Sequence, residues 1–96
     1  MGAQVDRDEE NLLRVAATSA PSELAAAISH ALYDSKRVVL RAIGAGAVNQ
    51  SVKAIAIAQS YVGQRGLYLT CRPGFATVKM PDGKEVSAIV FRVEAN

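Results

Sequence analysis

Few side chains in this chain of 96 residues can do chemistry. There is one histidine, His30, and one cysteine, Cys71. His30 falls within a helical pattern and has no second His, Cys or carboxylate at metal-ligand spacing. A zinc site is therefore not expected, and neither is any other metal or cofactor. A catalytic His would also need a nucleophile and an orienting partner in a cleft, and the sequence offers neither. His30 reads as a partly exposed helical residue. Cys71 falls in a strand pattern and reads as a core residue, since free cysteine is among the most buried types. Asp82 and Glu85 flank a turn, where Asp is expected for backbone reasons. No catalytic residue is assigned, and the chain reads as a non-enzyme.

One further constellation is Gly44-Ala45-Gly46, between a strand pattern and a helix pattern. A strand, Gly-x-Gly and a helix N-terminus form a geometry that receives phosphate on backbone N–H groups. A dinucleotide fingerprint would want a third Gly at position 49, where Asn49 stands, and an acidic residue about 20 positions on, where Leu67-Tyr68-Leu69 lies. The Lys and hydroxyl of a P-loop are missing too. What remains is an anion site at Gly44 and Gly46, with Asn49, Gln50 and Lys53 beside it. Equally, the two glycines serve simply to permit a tight turn.

The elements that would position these residues follow from periodicity. Residues 1–10 are polar and acidic and read as a disordered tail. Asn11–Thr18 reads as a strand. Pro21–Asp34 reads as a helix with Pro in its first turn and Glu23 at the positive end of its dipole. Its apolar face holds Leu24, Ile28, Ala31 and Leu32, with Ser22, Ser29 and Tyr33 opposite. Lys36–Ile43 is a β-branched strand. A second helix runs from about Ala47 to Val62. Leu67–Met80 is a third strand, expected to break or bulge at Pro73-Gly74. Pro81-Asp82-Gly83-Lys84 is a hairpin turn, and Glu85–Val93 the last strand. The order is β-α-β-α-β-β. Right-handed crossovers put both helices on one face of a mixed four-stranded sheet, a two-layer α/β (α+β) domain over residues 11–96.

The second helix has an unusual surface. Val48, Val52, Ile55 and Val62 form one face, suited to the sheet. Ala54, Ile57, Ala58 and Tyr61 cover much of the rest, leaving Asn49, Lys53 and Ser60 as a narrow polar stripe. A helix apolar on most sides is covered on most sides. The cover is another copy of the chain, making Ala54, Ile57, Ala58 and Tyr61 a dimer interface, or else the first helix.

Charge is unevenly distributed. Residues 11–96 carry ten Lys/Arg against five Asp/Glu, while residues 1–10 carry four acids against Arg7. A moderately basic domain suits a polyanion or simply keeps its surface solvated. No apolar run approaches the roughly 18 residues of a membrane span. The acidic N-terminus lacks the features of a secretory signal, and the single cysteine fits a reducing compartment, so cytoplasm is expected.

The segment Ala42–Ala54, AIGAGAVNQSVKA, with the following IAIAQSYV, closely resembles the stage V sporulation protein S family of bacteria. That family has a strand ending in Ala-Ile-Gly-Ala-Gly-Ala and a helix opening with Asn-Gln-x-Val-Lys-Ala. LLRVAATSAPSELAAAI, LYLTCRPGF and SAIVFRVE resemble its other elements in order. The resemblance covers about residues 11–94. It implies an Alba-like fold, dimers that bind DNA or RNA without enzymatic activity, and a role in spore development. Alba's lysine pair after the first strand has no counterpart in Thr18-Ser19-Ala20-Pro21, and the hairpin reads as compact.

Together these readings lead to a non-enzymatic nucleic-acid-binding regulator, a homodimer or tetramer, contacting phosphates of DNA or RNA with low specificity. The contacts would come from Gly44, Gly46, Asn49, Gln50 and Lys53, with Lys79 and Lys84 adding charge from the hairpin. The rivals are a protein-interaction module and a sensor of small anions or nucleotides.

Overall fold

A computed structural model describes residues 11–96. The acidic segment 1–10 lies outside the described residues. The elements are β1 (Leu12–Val15), α1 (Pro21–Ser35), β2 (Arg37–Ala42), α2 (Ala45–Gly63), β3 (Leu69–Lys79) and β4 (Glu85–Ala95). The sheet order is β1-β2-β4-β3, with β1 parallel to β2 and the other pairs antiparallel. This is the expected β-α-β-α-β-β order and mixed sheet.

The core lies between the sheet and the helices. Val15, Val38, Leu40, Ala42, Phe91 and Val93 meet Ala25, Ile28, Leu32, Ala47, Ala54 and Ala58 in one buried cluster. Alternation along β2 therefore turns Val38, Leu40 and Ala42 toward the helices and Arg37, Val39 and Arg41 to the opposite face. Among the described residues no helix is long and apolar enough to cross a membrane.

Several boundaries differ from the sequence reading, for local reasons. β1 ends at Val15, well before Thr18, because a turn forms there. Ser19 N–H donates to the Ala16 carbonyl at 3.0 Å, and Ala16 N–H donates to Ser19 Oγ at 2.9 Å. α1 ends with Lys36 in the left-handed conformation at φ 69°, its N–H donating to the Leu32 carbonyl. β3 neither breaks nor bulges at Pro73-Gly74. Its pairing with β4 runs without interruption from Leu69↔Ala95 to Lys79↔Glu85. β3 is an edge strand, so a proline without an N–H is tolerated there.

Two side chains also lie elsewhere than expected. Ser29 is buried, its hydroxyl donating to the Ala25 carbonyl at 2.9 Å, which satisfies it inside the helix. Cys71 is exposed, because no helix covers the edge strand that carries it. Nearby atoms still desolvate its sulfur enough to push the thiol pKa up. His30 is exposed, as expected.

Candidate nucleic-acid interface

Strand direction gathers the loops. β1, β2 and β3 run the same way, so the β1–α1 loop, the β2–α2 turn and the β3–β4 hairpin lie at one end of the sheet. Both helix N-termini lie there too. This is the carboxyl edge of the parallel strands, where ligands of α/β sheets commonly bind.

At the turn, Gly44 is the N-cap of α2 at φ 91°, a conformation that L side chains rarely adopt. Gly46 has a different constraint. A Cβ there would lie 2.8 Å from the Ala17 Cβ, so its bare Cα lets the β1–α1 loop close against the helix. Gln50 fixes the same contact, its Nε2 donating to the Ser19 carbonyl at 3.0 Å. Of the predicted anion-binding set, Gly46 and Gln50 thus have structural tasks. Asn49 and Lys53 are exposed along the helix. No side chain caps the α2 N-terminus.

Lys79 and Lys84 sit on an arm that is longer than the sequence suggested. β2 pairs with Ile89–Glu94 of β4, leaving Glu85–Ala88 and their partners Ala76–Lys79 beyond it. Four residues of strand project the turn by about 14 Å at ~3.4 Å per residue. The turn closes tightly, with Met80 N–H donating to the Lys84 carbonyl at 2.7 Å and Gly83 at φ 89°. The charge of the arm is balanced. Lys79 and Lys84 stand against Asp82 and Glu85; Lys79 is the cross-strand partner of Glu85, and Asp82 Oδ1 accepts from the backbone N–H of Lys84 to close the turn.

The proposed dimer surface changes more. Ala54 and Ala58 are fully buried inside the single chain and belong to its core, so they cannot face a partner. Ile57 is half-buried against that core, and Tyr61 is exposed. The buried face of α2 is Ala47, Ser51, Ala54, Ala58 and Val62, while Val52, assigned to the sheet, is 52 % exposed. Small residues win this face because α2 lies close against α1, with which it makes its most extensive contact.

A basic surface went unnoticed in the sequence. Residues opposite one another on neighbouring strands share a face, so the register assigns Arg14, Arg37, Arg41, Arg72 and Arg92 to the side without helices. The available signal was period two: in RVVLRA the arginines lie four residues apart, out of phase with Val38, Leu40 and Ala42. Among the described residues, no cluster of three or more His, Cys, Asp or Glu is placed to hold a metal.

An Alba-like two-layer fold is what this topology defines. Alba from Thermoplasma volcanium is similar in structure, with a TM-score of 0.58 over 90% of this chain and 99% of that one, at 11% identity. The profile of the stage V sporulation protein S family matches residues 11–96, and the chain belongs to that family.

Proposed function

We propose that the protein is a non-enzymatic, nucleic-acid-binding regulator that acts in the cytoplasm as a homo-oligomer, in sporulation or a related step of cell division or development. The observation that carries this reading is the convergence of three loops and two helix N-termini on one end of a basic domain. Helix N-termini attract phosphate through free N–H groups and the dipole. Gly44, Asn49 and Lys53 supply the open backbone, polar contact and charge, and Lys79 and Lys84 extend the reach. Few groups are suited to reading base edges, so binding to DNA or RNA should depend on salt rather than sequence. Titration of labelled single- and double-stranded DNA and RNA at several salt concentrations tests this. Saturable binding that weakens linearly in log-log salt plots supports it; no binding at low salt overturns it.

A protein-interaction module is the second reading. It draws on Phe75, 82 % exposed on the edge strand β3, and on Tyr68, 66 % exposed just before it. Apolar side chains beside an unpaired strand edge suit addition of a partner strand.

A further inference from the structure

We propose that the open face of the sheet, opposite the helices, is itself a phosphate-binding surface that holds a nucleic-acid backbone through its arginines. This rests on the nucleic-acid reading above but places a principal contact on a face that reading does not use. Of the six arginines in residues 11–96, five occupy this face: Arg14, Arg37, Arg41, Arg72 and Arg92. Arg65 is the exception and stacks on Tyr33 in the helical layer, 4.4 Å from the ring centre. No lysine is among them. The register gives the face a single acid, Glu94, opposite Arg37 and two residues along β4 from Arg92.

The spacing is costly for a merely solvated surface. Arg14 is the direct neighbour of Arg41, and Arg72 of Arg92. Like charges directly across a strand pair destabilise a sheet. An anion bridging Arg14 and Arg41 would reverse that sign. The two pairs lie on different halves of the sheet, one on β1 and β2, the other on β4 and β3. Together they form a basic band across all four strands, about 15 Å wide at ~4.8 Å per strand. Guanidinium is the group suited to this task, because its planar fork meets phosphate oxygens in pairs.

The face is shaped as well as charged. A Cβ at Gly74 would come within 3.3 Å of Arg92 Nη1, so the bare backbone of β3 leaves room for the guanidinium beside it. Arg72, Pro73 and Arg92 line a shallow depression there. Val39, Val90 and Ala88 are buried on this face although no helix covers them. The apolar stems of long arginines cover such residues while their heads stay in water. Cover alone would be served equally by lysine, so the exclusive use of arginine favours the phosphate reading. Among the residues paired in the sheet register no aromatic lies on the face, so the contact there is to backbone phosphate rather than stacked bases.

The test separates charge from cover. Arg41→Met with Arg72→Met removes two charges and keeps apolar stems; Arg65→Met is a charge-loss control in the other layer. Fluorescence anisotropy with a labelled 20-nucleotide single strand and the matching duplex reads affinity against salt. The double variant should lose on the order of tenfold in affinity, with a salt slope shallower by roughly two units. Arg65→Met should stay near wild type. Amide shifts of the wild-type protein on adding either oligonucleotide should appear at Arg14, Arg41, Arg72 and Arg92, a readout independent of any variant's folding. Shifts confined to Gly44–Asn49, or wild-type affinity and slope in a folded double variant, would overturn the open-face site and leave the nucleic-acid reading intact. Absence of binding by the wild-type protein at low salt would overturn both.

Discussion

Gly46 shows how one position answers to two pressures. A turn built to receive phosphate and a turn built to pack closely both favour glycine, and the Ala17 contact supplies the packing reason. Gly46→Val therefore places bulk against the β1–α1 loop, and the expected outcome is destabilisation of about 1–3 kcal/mol from overpacking. A thermal melt should show the midpoint falling by roughly 4–8 °C for each kcal/mol. Binding lost in that variant would not report on phosphate. Lys53 is the cleaner probe, because its side chain is exposed. Lys53→Ala should leave the melt unchanged and make the salt slope of oligonucleotide binding shallower by about one unit. A folded variant with the wild-type slope would remove Lys53 from the interface. Cys71 gives a third probe at this scale. Its raised pKa keeps the thiol protonated at neutral pH, so thiolate and reactivity rise with pH. Labelling of the native protein by a thiol reagent should be slower than that of free cysteine at pH 8, and accelerate about tenfold per pH unit below the thiol pKa.

Among the elements, α2 departs most from its sequence pattern. Ranking residues by hydrophobicity puts Val52 inside and leaves Ala54 and Ala58 for a partner. Close packing on α1 reverses this, since a helix set near its neighbour buries alanine and serine and turns larger side chains outward. Ala54→Leu should cost about 1–3 kcal/mol, because no space remains around a fully buried alanine. Val52→Ser should fall within about 0.5 kcal/mol of wild type. Denaturant melts of the two variants check the assignment, and the opposite ranking would contradict it. The end of α2 has its own anchor. Gln59 donates to the Leu67 carbonyl at 3.1 Å and accepts from Leu69 N–H at 2.8 Å, which ties the helix to the start of β3. Nothing in the local sequence signals that link, because it bridges a turn whose path depends on Gly66 at φ 79°.

For the whole molecule, assembly and polyanion binding are open to direct measurement. The apolar surface left on α2 differs from the one the sequence implied: Ala54 and Ala58 drop out, and Val52, Ala56 and Tyr61 are exposed, with parts of Val48, Ile55 and Ile57. If this surface meets a second copy, Ile57→Asp introduces a charge that costs several kcal/mol to bury unpaired and should yield monomers in light scattering. A wild-type monomer at micromolar concentration would dismiss the homo-oligomer. Residues 1–10 bear on binding through their charge. They carry four acids against one arginine, so deleting them should strengthen oligonucleotide binding at low salt and less so at high salt. Unchanged affinity would show that their charge does not reach the bound polyanion.

The sequence by itself determined the element order, the mixed sheet and the family. These follow from local periodicity, turn residues and a contiguous motif, all of which are written along the chain. Tertiary structure alone decided which alanines are core, why Gly46 must be glycine, that Cys71 lies on an open edge, and that five arginines converge. Each of these depends on contacts between segments distant in sequence. Arg14, Arg41, Arg72 and Arg92 are single residues on four strands, and only the β1-β2-β4-β3 order and its register bring them onto one surface.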